Sequence, residues 1–111
     1  MSETDSIPKL GQVVRITQGR ETGQHAVIIK VVDSRYVLLA DGDKRKYDRP
    51  KKKNIHHIAL MDYIPLEIQN SLLENGRVTN GKLRFAIDKF ESEGMTDLKK
   101  GDQRDGKRRS N

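Results

Sequence analysis

The chain of 111 residues has no cysteine, no tryptophan, three prolines and an aromatic share of only 5%. Without cysteine there is no disulfide framework, thiolate zinc site or cysteine nucleophile. So few aromatics exclude a multi-base stacking platform of the kind RNA-recognition motifs use. The longest nearly apolar run, Ala26 to Val32, is broken by Lys30 and is far too short to cross a bilayer. The first residues, Met1 to Ser6, are acidic and polar, the opposite of a secretory signal, so a soluble cytoplasmic protein with no membrane contact is expected. Nor does the sequence contain a P-loop, a dinucleotide fingerprint, a nucleophile elbow or a paired acid and base. Neither an enzyme nor a cofactor-binding protein is expected.

Charge is abundant. Asp, Glu, Lys and Arg make up 34% of the chain, and 22 basic against 16 acidic residues leave a net charge of +6. Leu, Ile, Val and Phe together number 27 of 111 residues, enough for a small core but not a large one. The excess charge is concentrated. Residues 1–43 and 54–92 are each close to neutral, whereas the ten residues from Lys44 to Lys53 hold seven cations against one carboxylate. Seven cations in ten residues repel one another unless an anion offsets them, which points to a polyanion partner, and in a soluble protein nucleic acid is the commonest. A solvated loop kept charged for solubility is the plainer alternative.

Periodicity divides the chain. Residues 1–9 are polar and expected to be flexible. Strands are predicted at Val13 to Ile16, His25 to Val32, Arg35 to Ala40 and Asn54 to Leu60, separated by short turns. In the second of these, Val27, Ile29 and Val31 fall on one face and Ala26, Ile28 and Lys30 on the other. Short strands without intervening helices predict a small antiparallel barrel over residues 10–62. Residues 63–92 then read as a helical extension. Pro65 fits a first helical position; Leu66, Gln69, Leu72 and Leu73 mark a short helix stopped at Asn75 and Gly76. A second helix begins near Thr79 or Asn80, with Leu83, Ala86, Ile87 and Phe90 as its apolar stripe, expected to lie on the barrel, and Gly94 at its end. Residues 93–111 are predicted to be a disordered, mixed-charge tail whose Lys107, Arg108 and Arg109 order at least partly on RNA.

Between the first two strands lies Gly19, Arg20, Glu21, Thr22, Gly23. Two glycines four apart let a loop turn tightly and display the residues between them. The stretch Val13 to Val27 resembles the KOW motif, a strand, a glycine-spaced loop and a second aliphatic strand. The wider stretch Gly11 to Ile58 is similar to the barrel of KOW-type large-subunit ribosomal proteins of archaea and eukaryotes, through Gly19, Arg20, Glu21, Asp33, Asn54 and His57. Small bacterial KOW-domain RNA-binding proteins look closer still, through Asp41 to Lys46 and Gly76 to Phe85, so that the resemblance covers about residues 7–92. It implies a mostly β fold with an α appendage, in which a small SH3-like (KOW) antiparallel barrel is followed by two short helices. It also implies binding to RNA or work at the ribosome.

The candidate RNA-binding residues are Arg20, Lys44, Arg45, Lys46, Tyr47, Arg49, Lys51, Lys52 and Lys53, with Gly19 and Gly23 as the loop glycines. The cations suit phosphate contacts, which dominate affinity through counterion release without reading sequence. Tyr47 either stacks on an unpaired base or packs its ring on the barrel edge; Tyr36 and Tyr63 are expected to be structural. No metal site is expected. His56 and His57, adjacent on a strand, point to opposite faces, one near the core and one outward, and His25 has no acidic neighbour at ligand spacing. Asp41 and Asp43 around Gly42 fit a turn better than a Mg²⁺ site. The leading expectation is therefore a monomeric RNA-binding accessory or structural component of the translation apparatus. Its partner would be ribosomal RNA or the ribosome, with ribosomal proteins as further contacts. The alternative is a protein-binding KOW module that meets RNA polymerase or a ribosomal protein, as in elongation factors of the NusG type. A DNA-binding regulator ranks below both, since no basic helix-turn-helix is present.

Overall fold

A computed structural model describes residues 7–93. Five strands come first, β1 (Val13–Ile16), β2 (His25–Val31), β3 (Tyr36–Ala40), β4 (Lys51–Asn54) and β5 (Ile58–Leu60), then the helices α1 (Leu66–Asn75) and α2 (Asn80–Glu93). The strands form one sheet of order β4-β3-β2-β1-β5, antiparallel at every pairing. Its two edges are consecutive in sequence. Only a three-residue 3-10 turn, Ile55–His57, joins them, and Asn54 caps that turn by accepting a hydrogen bond from His56 N at 2.8 Å. A flat sheet of five strands would hold its edges about 19 Å apart, whereas such a turn spans only about 6 Å. The sheet therefore has to curl, and the result is a small barrel with a helical appendage.

The strand period of two sorts the core into two clusters. Val14, Ile16, Ala26, Ile28, Val37, Leu39 and Ile58 fill the barrel interior. Val13, Val27, Ile29 and Ala40 point outward and are covered by the helices. Lys30 pairs with Leu38 where Ile28 pairs with Leu39, so β2 carries a bulge. The bulge breaks the predicted face of Val27, Ile29 and Val31: Val31 is 40% exposed.

α2 keeps the predicted stripe. Leu83, Ala86, Ile87 and Phe90 are all buried on the outer sheet face, each large one contributing about 1.5–3 kcal/mol by leaving water. The Phe90 ring stacks on Tyr63 at 5.6 Å and meets the His25 ring edge-on at 5.1 Å. Thr79 caps the helix, its hydroxyl accepting from Lys82 N at 3.2 Å. Asn80, the other predicted cap, instead accepts from Tyr47 N at 2.7 Å.

α1 departs from expectation in two ways. Pro65 is its N-cap rather than its first helical residue, and its carbonyl receives the Ile68 and Gln69 N–H groups. The buried face is Ile68 and Leu72, an i, i+4 pair, while Leu66 and Leu73 are each 67% exposed. Four apolar positions surround this helix, but the sheet and α2 leave only a narrow strip for it to cover. Gly76, at φ 75°, ends it as predicted. The expectations for residues 1–6 and for the tail from Gly94 onward lie outside the described residues. No helix among the described residues is long and apolar enough to cross a membrane.

Candidate nucleic-acid interface

The glycine loop closes β1 onto β2 by hydrogen bonds of its own. Gly23 N donates to Ile16 O at 2.7 Å, and Gln24 N donates to Glu21 O at 3.0 Å. The Thr22 hydroxyl donates to Gly19 O at 2.6 Å. Gly19 and Gly23 hold φ of 102° and 93°, the region that side chains disfavour. Between them Arg20 is exposed at the tip.

The basic run is not one loop. Residues up to Pro50 form a turn, but Lys51, Lys52 and Lys53 belong to β4, paired with Leu39, Leu38 and Val37 of β3. Three lysines show no hydrophobic alternation, so nothing local announces a strand; the pairing with β3 imposes it. Alternation then separates the side chains. Lys51 and Lys53 lie opposite Leu39 and Val37, which face the barrel interior, while Lys52 turns outward. Lys52 Nζ stands 4.6 Å from the centre of the Tyr36 ring, a cation–π contact. Lys53, expected as an exposed phosphate contact, is only 9% exposed. Its stem lies along the barrel and its ammonium reaches the glycine loop, as long cationic chains do when partly buried. A methyl group on Gly19 would stand 2.9 Å from Lys53 Nζ. Among the described residues no carboxylate pairs with that ammonium.

The two features separated in sequence thus meet at one edge. Lys44, Arg45 and Lys51 line a cleft of about 80 Å³ together with Glu21 and Gln24 of the glycine loop. Lys46 and Arg49 are exposed on the turn beside it, where Arg49 N donates to Lys46 O at 3.0 Å. This segment is tied down at its start and its middle. Asp41 accepts from Asp43 N and Arg45 N, both at 2.9 Å, the Asx turn expected for Asp-Gly-Asp. Tyr47 packs its ring against the helix-side core, and its hydroxyl donates to Gly76 O at 2.9 Å. Of the two readings of Tyr47, packing is the one its surroundings display. Gly42, at φ 80°, lies against the start of α2, and its carbonyl accepts from the Arg84 guanidinium at 2.8 Å.

Next to this cleft, sharing Gln24, Asp41 and Lys44 with it, a groove of about 370 Å³ opens against α2, where Arg84, Asp88 and Glu91 line it. Beneath it His25 Nδ1 meets Glu91 Oε2 at 2.7 Å, so a partner 66 residues away supplies the acidic neighbour that His25 lacks in sequence. Only helical spacing hints at it, since Arg84, Asp88 and Glu91 recur at i, i+4, i+7. His56 and His57 occupy the 3-10 turn instead of a strand, and neither is in the core. Among the described residues no group of three or more His, Asp or Glu gathers to hold a metal ion. Asp33, at the turn before β3, has its carboxyl held below the ordinary value, first by the Arg35 N–H and then by the Tyr36 N–H and the Lys52 charge.

A five-stranded barrel closed by a 3-10 turn, with a glycine loop beside a lysine strand and two helices over its outer face, defines a small KOW-like barrel protein. The chain belongs to the family of the Bacillus subtilis (strain 168) protein named "Putative ribosome-binding protein YbzG". It is 41% identical to that protein over 71 residues, 64% of this chain and 96% of the relative. It is also similar to archaeal large ribosomal subunit protein eL14, at 30% identity over 56 residues in Aeropyrum pernix and 36% over 53 residues in Pyrobaculum islandicum. These matches take in 50% and 48% of this chain and 56% and 52% of the two relatives, so the chain spans about half their length. No family model matches the chain.

Proposed function

We propose that the protein binds structured RNA at the edge where the glycine loop meets β4, and that it does so on the ribosome, with ribosomal RNA as its ligand. The observation that carries this reading is the approach of Lys53 Nζ to Gly19, which joins the loop and the basic run into one surface. The names of the relatives support the ribosomal setting, and with it a cytoplasmic location. Lys44, Arg45, Lys46, Arg49, Lys51, Lys52 and Arg20 would contact phosphates and release condensed counterions. Lys53 acts from beneath: its ammonium, without a carboxylate partner among the described residues, makes the loop positive without occupying the surface. Tyr47 fixes the segment to the helices and leaves the cations free to engage. The unbound protein is monomeric in this reading.

The test is co-sedimentation with ribosomes over a salt series, alongside binding to a structured ribosomal RNA fragment. The protein should pellet at low salt and leave as salt rises. Lys51→Gln and Lys52→Gln should each lower the log–log salt slope by about 0.7–0.9. Lys53→Met, which keeps the buried stem, should weaken binding in the same direction. A protein that stays in the supernatant at low salt and ignores structured RNA would end the proposal, and an unchanged slope would move the site away from β4.

A further inference from the structure

The flank of α2 that faces away from the basic edge carries a second surface. Lys82, Phe85 and Lys89 recur at i, i+3, i+7, so they form one stripe beside the buried one. Phe85 is 64% exposed and Leu66, at the start of α1, is 67% exposed. Both line a groove of about 180 Å³ between the helices, floored by Ile68 and Ala86 and flanked by Lys82 and Lys89. A single exposed apolar residue on a small protein needs no explanation. Two large ones facing one groove, in a chain with so few large apolar residues, place apolar area where the fold gains nothing from it.

The charge around the groove selects what could fill it. Lys82 meets Glu67 at 3.6 Å and Ser71 at 3.3 Å, so its charge is partly satisfied. Lys89 has no carboxylate partner among the described residues. Arg77 adds a further cation where the same face continues past Lys82. Among the described residues Glu67 is the one carboxylate lining the groove. The rim is therefore cationic around an apolar floor. Phe85 offers one exposed ring on which a base could stack, but the remaining apolar lining is largely aliphatic, Pro65, Leu66, Ile68 and Ala86, which suits an apolar side chain better than a run of stacked bases. An apolar side chain with carboxylates close by fits both the floor and the rim.

We propose that the Leu66–Phe85 groove docks a segment of another protein, an apolar anchor residue flanked by Asp or Glu, with Phe85 and Leu66 gripping the anchor and Lys89 meeting the carboxylates. This goes beyond RNA binding and places the protein partner on the flank of α2 that faces away from the RNA edge. One molecule could then hold RNA on one side and protein on the other.

The test places p-benzoylphenylalanine at position 85 of the full chain in cells, with irradiation, nuclease treatment and mass spectrometry of the crosslinked peptide. The expected product is a nuclease-resistant crosslink to a peptide bearing an apolar residue within one helical turn of two or more carboxylates. Leu66→Asp should cut its yield about tenfold or more, the usual effect of removing an anchor. Asp suits the first turn of a helix, so this variant should fold; circular dichroism checks that. Lys89→Glu, on the exposed face, should lower the yield about two- to fivefold and serves as the second variant should Leu66→Asp misfold. A crosslink to RNA, to a second copy of this chain, to residues 94–111 of the same chain, or to a peptide without carboxylates overturns the proposal, as does no crosslink at all. RNA affinity of purified Leu66→Asp should be unchanged, so failure of this surface and failure of the RNA edge are read separately.

Discussion

Gly42 sits at the joint between the basic segment and α2, and replacing it with alanine tests whether that joint is as close as described. A Cβ there would run into the Asn80 carbonyl oxygen and stand 3.0 Å from Leu83 Cβ and 3.1 Å from Arg84 N. The backbone also holds φ at 80°. Gly23 provides the control, because it holds φ at 93° but a Cβ there would meet nothing within 4 Å. Left-handed backbone costs a non-glycine residue about 1–2 kcal/mol, and both variants incur that. Only Gly42→Ala must also push the start of α2 outward, at about 1–3 kcal/mol for overpacking. It further strains the bonds from Tyr47 to Asn80 and from Arg84 to Gly42, each worth about 1 kcal/mol. The expected loss is roughly 1–2 kcal/mol for Gly23→Ala and about 3–5 kcal/mol for Gly42→Ala. For a domain of this size each kcal/mol moves Tm by about 4–8 °C, so a difference of about 2–3 kcal/mol should separate the two variants by about 8–24 °C in thermal unfolding, with urea midpoints in the same order. Equal losses would mean that the helix does not press on this loop, and would refute the close approach of Gly42 to α2.

Four further outcomes rest on other contacts of the fold. Phe90→Ala removes a fully buried ring that touches both Tyr63 and His25; a loss of about 3–5 kcal/mol is expected, and a urea midpoint within error of the parent would contradict the packing. Thr79→Ala removes the cap of α2 and should cost about 1 kcal/mol, while Asn80→Ala should instead speed amide exchange at Tyr47, whose N–H it releases. The Asp33 carboxyl should titrate below its ordinary 3.8, which carbon NMR can follow directly. Because the folded value is the lower one, its contribution to stability is present above about pH 4 and fades as pH falls through the folded value; a titration at or above 3.8 would remove the claimed N–H contacts.

Local pattern carried most of the barrel. β1 and β2 are rich in Val and Ile, β3 is a short apolar run between turn signals, and the stripe of α2 is regular enough to name its four buried residues. What pattern could not carry was set by neighbours. The basic run looks like a charged loop because lysine has no face preference of its own, yet pairing with Val37, Leu38 and Leu39 turns its second half into a strand and draws Lys53 inward. The strand predicted through His56 and His57 fails because closing the sheet requires a tight turn there. On α1 the pattern offered Leu66 and Leu73, but the covered strip selects Ile68 and Leu72. As for the candidate site, its residue types and rough location were legible in the glycines and the charge. The approach of Lys53 to Gly19 and the pairing of His25 with Glu91 were not, since each spans dozens of residues.

The anchoring of the basic segment bears on how quickly and how tightly it can engage a ligand. Asp41 folds its start, Asn80 and the Gly76 carbonyl hold Tyr47 at its middle, and β3 pairs its end. Most of the backbone freedom of these residues, about 1–2 kcal/mol for each one, is therefore lost when the chain folds and not when it meets an anion. Such a surface resembles a fixed electrode. Toward the anionic ligand proposed above it would attract by long-range field, need little rearrangement on contact and let go when salt screens it, a behaviour suited to fast, reversible association.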